Sequence, residues 1–241
     1  MTAVLLEVCV GDVQGLETAV AAGADRIELC SALAVGGLTP SAGVMALAAT
    51  KPVPSFAMIR PRAGDFVYSE AELDVMMGDI DAARNAGLPG VVFGANHPDG
   101  RLDLASLERL VARSAGLGLT LHRAFDLVPD VEEAIEAAIS LGFERILTSG
   151  GAKSALQGVE ILERAIVHAR GRISVMPGSG VTIETIDPLL SRLAVGEVHS
   201  SCSSGVPVSD PTVVELGFAP SVERKTDAGL VRELKARLKR G

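Results

Sequence analysis

Tryptophan is missing from this 241-residue chain, tyrosine occurs once, and aromatic residues together make up 3%. Hydrophobic residues reach 48%, so the core must be aliphatic, and small aliphatic side chains suit strands buried on both faces. Cysteine is scarce too: Cys9, Cys30 and Cys202 are too few, and odd in number, for a disulfide framework. No apolar run approaches the roughly 18 residues of a membrane-crossing helix, which argues against a membrane partner. No basic run appears before the C-terminal tail, and a net charge of −8 repels nucleic-acid backbones, so nucleic acid is set aside. Met1-Thr2 leads into an apolar run without a basic stretch or a small-residue cleavage pattern. Together these absences predict a cytoplasmic protein with reduced thiols, free to bind a soft metal or simply to pack.

One repeated grammar organises what is there: a helix-like segment, a glycine, a short turn, then an apolar run rich in β-branched residues. It recurs at Gly23, Gly87, Gly116, Gly142, Gly171 and Gly196. Glycine just past a helix end takes the left-handed conformation that satisfies the last carbonyls, and β-branched residues cluster in strands. The predicted strands are 4–10, 26–30, 55–60, 90–94, 119–123, 145–148, 173–176 and 197–200. Helices are expected to begin at Thr39-Pro40, at the capping box Ser69 to Glu72, and at Asp103, Pro129 and Thr182. Eight strands separated by helices predict a single-domain (β/α)₈ TIM barrel spanning residues 1–241. An open doubly wound sheet is the competitor, weakened because no G-x-G-x-x-G fingerprint follows the first strand. After Ser200 the pattern lapses into a long loop, 202–225, expected to be functional or to pack against a partner subunit. A helical tail from Asp227 to Arg240 follows, with Leu230, Leu234 and Leu238 on one face.

Strand side chains alternate in direction. Leu6, Val8, Ile27 and Leu29 suit contact with helices, so Glu7, Cys9, Glu28 and Cys30 must point into the barrel. The same parity aims Arg60 and His122 inward and puts Glu197 with His199 on one side. Buried charges cost several kcal/mol unless paired, so these groups serve either an ion-pair plug or chemistry at the strand C-terminal ends. Cys9 and Cys30 lie on neighbouring strands, side by side at the mouth if not ordinary core, and two thiolates suit Cu(I). The loops carrying Gly150, then Gly178, Ser179 and Gly180, then His199 and Ser200 are candidates for an anion cradle, though tight turns also need glycine. Arg60-Pro61-Arg62 reads as a carboxylate or phosphate clamp, or as a partner for acids of a nearby loop. Lys153 lies beyond strand six, which argues against a Schiff-base aldolase, and strand one lacks the H-x-H pair of a histidine-zinc hydrolase.

Leu6-Glu-Val-Cys-Val10, Gly23-Ala-Asp-Arg-Ile-Glu-Leu-Cys30 and Gly36-Gly-Leu-Thr-Pro-Ser41 resemble the CutC family of copper homeostasis proteins. So do Ile59-Arg-Pro-Arg62 with Gly64-Asp-Phe66, Thr120-Leu-His-Arg-Ala-Phe-Asp126, Ile146-Leu-Thr-Ser-Gly150 and Val198-His-Ser-Ser201, in order, from residue 5 to about 205. The resemblance implies a cytoplasmic barrel that handles copper, often as a homo-oligomer (a dimer or tetramer), with Cu(I) ligands at Cys9 and Cys30. Two functions are therefore carried forward. In one, the barrel binds Cu(I) and buffers or delivers it. In the other, an enzyme uses Glu7, Glu28 and His122 for acid/base chemistry on a small phosphorylated or carboxylated metabolite anchored by Arg60.

Overall fold

The structure is a computed structural model that describes residues 4–239; Met1-Thr2 and the expected helix end at Arg240 lie outside the described residues. Eight parallel strands form one sheet: β1 (Leu5–Val10), β2 (Arg26–Leu29), β3 (Ser55–Met58), β4 (Gly90–Phe93), β5 (Gly118–Leu121), β6 (Arg145–Thr148), β7 (Ser174–Pro177) and β8 (Glu197–Ser200). Strands β1 to β7 pair in sequence order, β8 pairs with β1, and β7 lies against β8 without a ladder between them, which nearly closes the sheet into a TIM barrel. The crossovers carry α1 (Val13–Ala22), α2 (Ala42–Ala49), α3 (Glu70–Ala86), α4 (Leu104–Arg113), α5 (Val131–Ser140), α6 (Val159–Ala169) and α7 (Ile186–Leu190). The expected (β/α)₈ fold is what forms.

Local signals explain the boundaries. Ser69 accepts from the Glu72 N–H while the Glu72 carboxylate accepts from Ser69, the reciprocal box that starts α3. Gly23 and Gly87 end α1 and α3 in the left-handed region, whereas Gly196 is not among the glycines with positive φ. The α2 start differs from expectation. Ser41, not Thr39, caps that helix, because Thr39 is tied to Arg60: its Oγ1 accepts from the Arg60 N–H and its own N–H donates to the Arg60 carbonyl.

The stretch 202–225 is not an irregular loop. It folds as an antiparallel pair, β9 (Ser203–Pro207) and β10 (Val222–Thr226), with a short α8 (Pro211–Glu215) between them. Most of its residues are exposed, so no hydrophobic period marked it in the sequence. The closing helix α9 (Ala228–Leu238) starts at Asp227, which accepts from Gly229 and Leu230, and packs on α1 and β1 as the eighth barrel helix. Its buried face is Val231, Leu234 and Leu238, with Leu230 only half-buried.

Apolar side chains sort into two layers. Leu6, Val8, Ile27 and Leu29 join the large cluster between barrel and helices. Cys30, Phe56, Met58 and Val92 form a separate cluster inside the barrel. Alternation along β1 and β2 therefore sends Glu7, Cys9, Glu28 and Cys30 towards the axis.

Candidate functional site

The barrel interior is stratified along its axis. At the bottom, Arg26 donates to Glu7 and, at 2.5 Å, to Glu197. Arg145 lies 3.5 Å from the other oxygen of Glu197 and donates to Thr120 at 3.0 Å. The Phe56 ring packs beneath both guanidiniums, 5.6 Å from Arg26 and 4.9 Å from Arg145. Apart from Arg145 Nε, which has no hydrogen-bond partner among the described residues, these groups satisfy one another, and all but the half-buried Arg145 are buried. The ion-pair plug weighed from the sequence exists, but its cations are Arg26 and Arg145 rather than Arg60. Both were missed, although Arg26 stands two residues before Glu28 and so shares its direction.

Above the plug, Glu7 turns its second oxygen to His199 Nδ1, 2.9 Å away. The other ring nitrogen of His199 lies 3.7 Å from Glu28 Oε2, and the Cys30 thiol reaches the same oxygen at 3.6 Å. Cys9 Sγ, a Glu28 oxygen and a His199 nitrogen all lie within 4.8 Å of one another, and all three residues are buried. Burial opposes a charge on His199, but the facing Glu28 carboxylate and Cys9 hold its pKa well above 6.5. Burial and the nearby Glu28 charge push the Cys30 thiol well above 9. Burial likewise raises Glu28, with the His199 charge working against it. The sulfurs are not level. Register sets Cys9 opposite Glu28, and Cys30, whose N–H donates to Val10, lies a layer nearer the mouth. Parallel strands in a barrel are staggered, so equal positions in two similar motifs need not be equal heights.

Arg60, two residues past β3, and His122, directly after β5, stand at the C-terminal rim. The Arg60 guanidinium donates to the carbonyls of Val35, Gly37 and Gly64 at 2.9, 3.1 and 2.8 Å, and no carboxylate among the described residues pairs with it. The half-buried ring of Phe66 lies between the two, 4.9 Å from the Arg60 guanidinium and 4.8 Å from the His122 ring. His122 Nδ1 accepts the Ala124 N–H at 3.2 Å, capping a short helical turn. Gly94 gives the ring its room, since a Cβ there would stand 2.7 Å from Nδ1. Burial, then the Arg60 charge, lowers the His122 pKa from 6.5 to about 3. A histidine held neutral in the fold costs stability once the unfolded chain can take up its proton. Unfolding measured between pH 6.5 and 5 should therefore show stability falling with acidification by about 1.4 kcal/mol per pH unit from this group. His122→Gln should remove that slope.

After β6 the expected anion cradle is filled by the chain itself. Asp126 Oδ1 accepts from the backbone N–H of Ser149 and of Gly151 and from Thr148 Oγ1, while Oδ2 accepts from Ser149 Oγ and Arg123. Gly150 donates to Thr148 Oγ1, Gly178 to the Thr148 carbonyl, Ser179 Oγ to Lys153 and Ser200 Oγ to Val181. Gly150 itself is required by contact, because a Cβ would sit 2.3 Å from the Gly158 carbonyl. Arg62 is engaged by Glu72, Asp65 and the Val67 carbonyl, the acid-pairing alternative rather than a clamp. Asp126→Ala should cost about 3 kcal/mol in urea unfolding, since it strands several donors at once. A loss below about 1 kcal/mol would contradict this account of the loop.

Over all these groups opens a cavity of about 1030 Å³. Cys9, Glu28, Arg60, His122 and His199 line its inner wall, and the β9–β10 hairpin, through Arg224 and Lys225, lines its outer one.

The sequence profile of the CutC family matches residues 4–204. A CutC family protein of Rhizobium meliloti is 63% identical over 238 residues, covering 99% of this chain and 97% of that one. One of Caulobacter vibrioides is 53% identical over 232 residues, covering 95% of each. A crystal structure of the "Putative Copper Homeostasis Protein CutC" from Streptococcus agalactiae matches with a TM-score of 0.79 at 33% identity, over 82% of this chain and 98% of that one. A deoxyribose phosphate aldolase from Aeropyrum pernix also matches, with a TM-score of 0.61 at 13% identity over 81% and 85% of the two chains, and shares the barrel alone.

Proposed function

Because the chain belongs to the CutC family, we propose that it is a copper homeostasis protein that takes Cu(I) at the barrel mouth and buffers or delivers it. The observation that carries this reading is the convergence of Cys9 Sγ, Glu28 and His199 within 4.8 Å. Cu(I) favours soft thiolates and imidazole at low coordination number, which singles out Cys9 and His199. Cys30 supplies a second thiolate once it gives up its proton to the ion's charge, and the hard carboxylate of Glu28 stays an outer partner. The ion-paired Glu7 fixes the His199 ring through Nδ1, as outer-sphere carboxylates do for metal-bound histidines. Free rather than bridged cysteines suit a reducing cytoplasm, and no described helix is long and apolar enough to cross a membrane.

The test is a competition titration of the reduced chain with Cu(I) and a chromophoric Cu(I) chelator, repeated on Cys9→Ser with Cys30→Ser. Equal affinity in the double variant would remove the proposal.

The same reading makes the chain a homo-oligomer, a dimer or tetramer, joined through the hairpin insert. Val206, Leu216, Phe218 and Val222 are exposed there, Phe218 by 80%, and such clustered apolar surface marks contact sites. Light scattering should give a multiple of the chain mass, reduced to the single chain by Phe218→Asp. A wild-type monomer would sink this part alone.

A further inference from the structure

A Cu(I) ion with two or three protein ligands fills a small corner of a cavity of about 1030 Å³, a volume at the upper end of those that take organic ligands. The polar groups along its inner wall are also left incomplete in a consistent way. Glu28 Oε1, Arg60 Nε and His122 Nε2 are buried without a hydrogen-bond partner among the described residues. Such orphans are rare in folded proteins because each costs the full desolvation of the group. Here three stand on the same wall, at the ends of β2, β3 and β5.

Their chemistry is specific. Because Nδ1 of His122 accepts the Ala124 N–H, the proton of the neutral ring sits on Nε2, so the orphaned atom is a donor. Arg60 Nε is a second donor, on a guanidinium of a residue that is 5% exposed and is met by carbonyl dipoles and the nearby Tyr68 hydroxyl. Glu28 Oε1 is an acceptor when ionised, facing away from the Cys30 contact made by Oε2. Phe66, stacked between Arg60 and His122, belongs to the half-exposed stretch 61–67 and gives both donors an apolar cover.

We infer that the mouth binds a small 2-hydroxycarboxylate, its carboxylate placed on Arg60 Nε–H and His122 Nε2–H and its hydroxyl donating to Glu28 Oε1. An uncompensated buried cation calls for an anion, and a planar carboxylate offers two acceptors to two donors. The hydroxyl follows from the lone acceptor. Of the backbone donors that a phosphate could use, those after β6 are already consumed by Asp126. The inference does not rest on copper: it uses none of the thiols and not the His199 ring.

The full chain, stripped of metal, is titrated calorimetrically with glycolate, the two lactates and the two malates, with acetate and succinate as hydroxyl-free controls. Histidine ring nitrogens are followed in parallel by ¹⁵N NMR. At least one hydroxy acid should bind roughly tenfold tighter than its control and move the His122 Nε2–H resonance. Arg60→Gln and His122→Phe should each weaken it by roughly tenfold or more, while His122→Gln, whose amide can donate near the Nε2 position, should keep most of the affinity. If no hydroxy acid binds at roughly 10 mM, or controls bind equally, or the His122 resonance stays still on binding, the inference falls. The wild-type resonance decides the matter even where a variant fails to fold. Cu(I) affinity is measured separately, so loss of this site leaves the copper reading standing, and the reverse.

Discussion

Replacing Arg26 by leucine lowers the free energy of unfolding by about 3–5 kcal/mol, the cost of stranding buried carboxylates without their cation. Glu7 is 0% exposed and Glu197 7%, and Arg26 touches both. Arg145 still faces Glu197, so most of the loss falls on Glu7. Burial alone would raise the Glu7 carboxyl; the His199 hydrogen bond and the Arg26 charge instead hold it down, from 4.5 to about 2. A depressed carboxyl contributes stability that is present above its unfolded value and lost as pH falls towards the folded one. The deficit of Arg26→Leu should therefore be largest near neutral pH and shrink from about pH 4.5 downward. Urea unfolding at pH 7 and at pH 4 measures both effects, and a deficit that grows in acid would contradict the pairing. Replacing Arg26, Glu7 and Glu197 together by apolar residues of similar volume should be milder than the single change, since no charge is then left alone.

Serine at Cys9 should weaken Cu(I) binding beyond the roughly 10–100-fold that loss of a merely outer partner costs. The same holds for His199→Asn, and Glu7→Gln should fall inside that range because it only orients the ring. Binding must also expel protons. His199 is held in its charged form well above 6.5 and the Cys30 thiol in its neutral form well above 9. Apparent affinity should accordingly drop as pH falls, about tenfold per pH unit for each proton displaced. Chelator competition at pH 6, 7 and 8 reads the slope. A pH-independent affinity would point to ligands other than these.

Much of this arrangement is legible in the sequence. Leu6, Val8, Ile27 and Leu29 fixed the outward face of two strands, and period-two alternation then aimed Glu7, Cys9, Glu28 and Cys30 inward. Heights were not legible, because stagger between parallel strands depends on closure of the whole barrel and leaves no local mark. That is why Cys9 is level with Glu28 instead of Cys30. Arg26 and Arg145 were within reach of the same parity rule, yet a charge beginning a strand reads as solvated surface. The Asp126 contacts were hidden differently: Gly150 and Gly151 advertise backbone donors, and nothing local reveals that an acid more than twenty residues earlier takes those of Ser149 and Gly151. The hairpin after β8 escaped notice because an exposed two-stranded ribbon needs no apolar face.

Glu7 gives its two oxygens to different tasks, one to the arginine floor and one to the imidazole above it. Selection on rigidity and selection on ligand chemistry therefore meet in one side chain. A thermostabilised version of this barrel reached by rebuilding its floor with aliphatic residues would lose the brace that orients His199. Engineering for heat resistance should begin at the outer helices, where the two demands are separate.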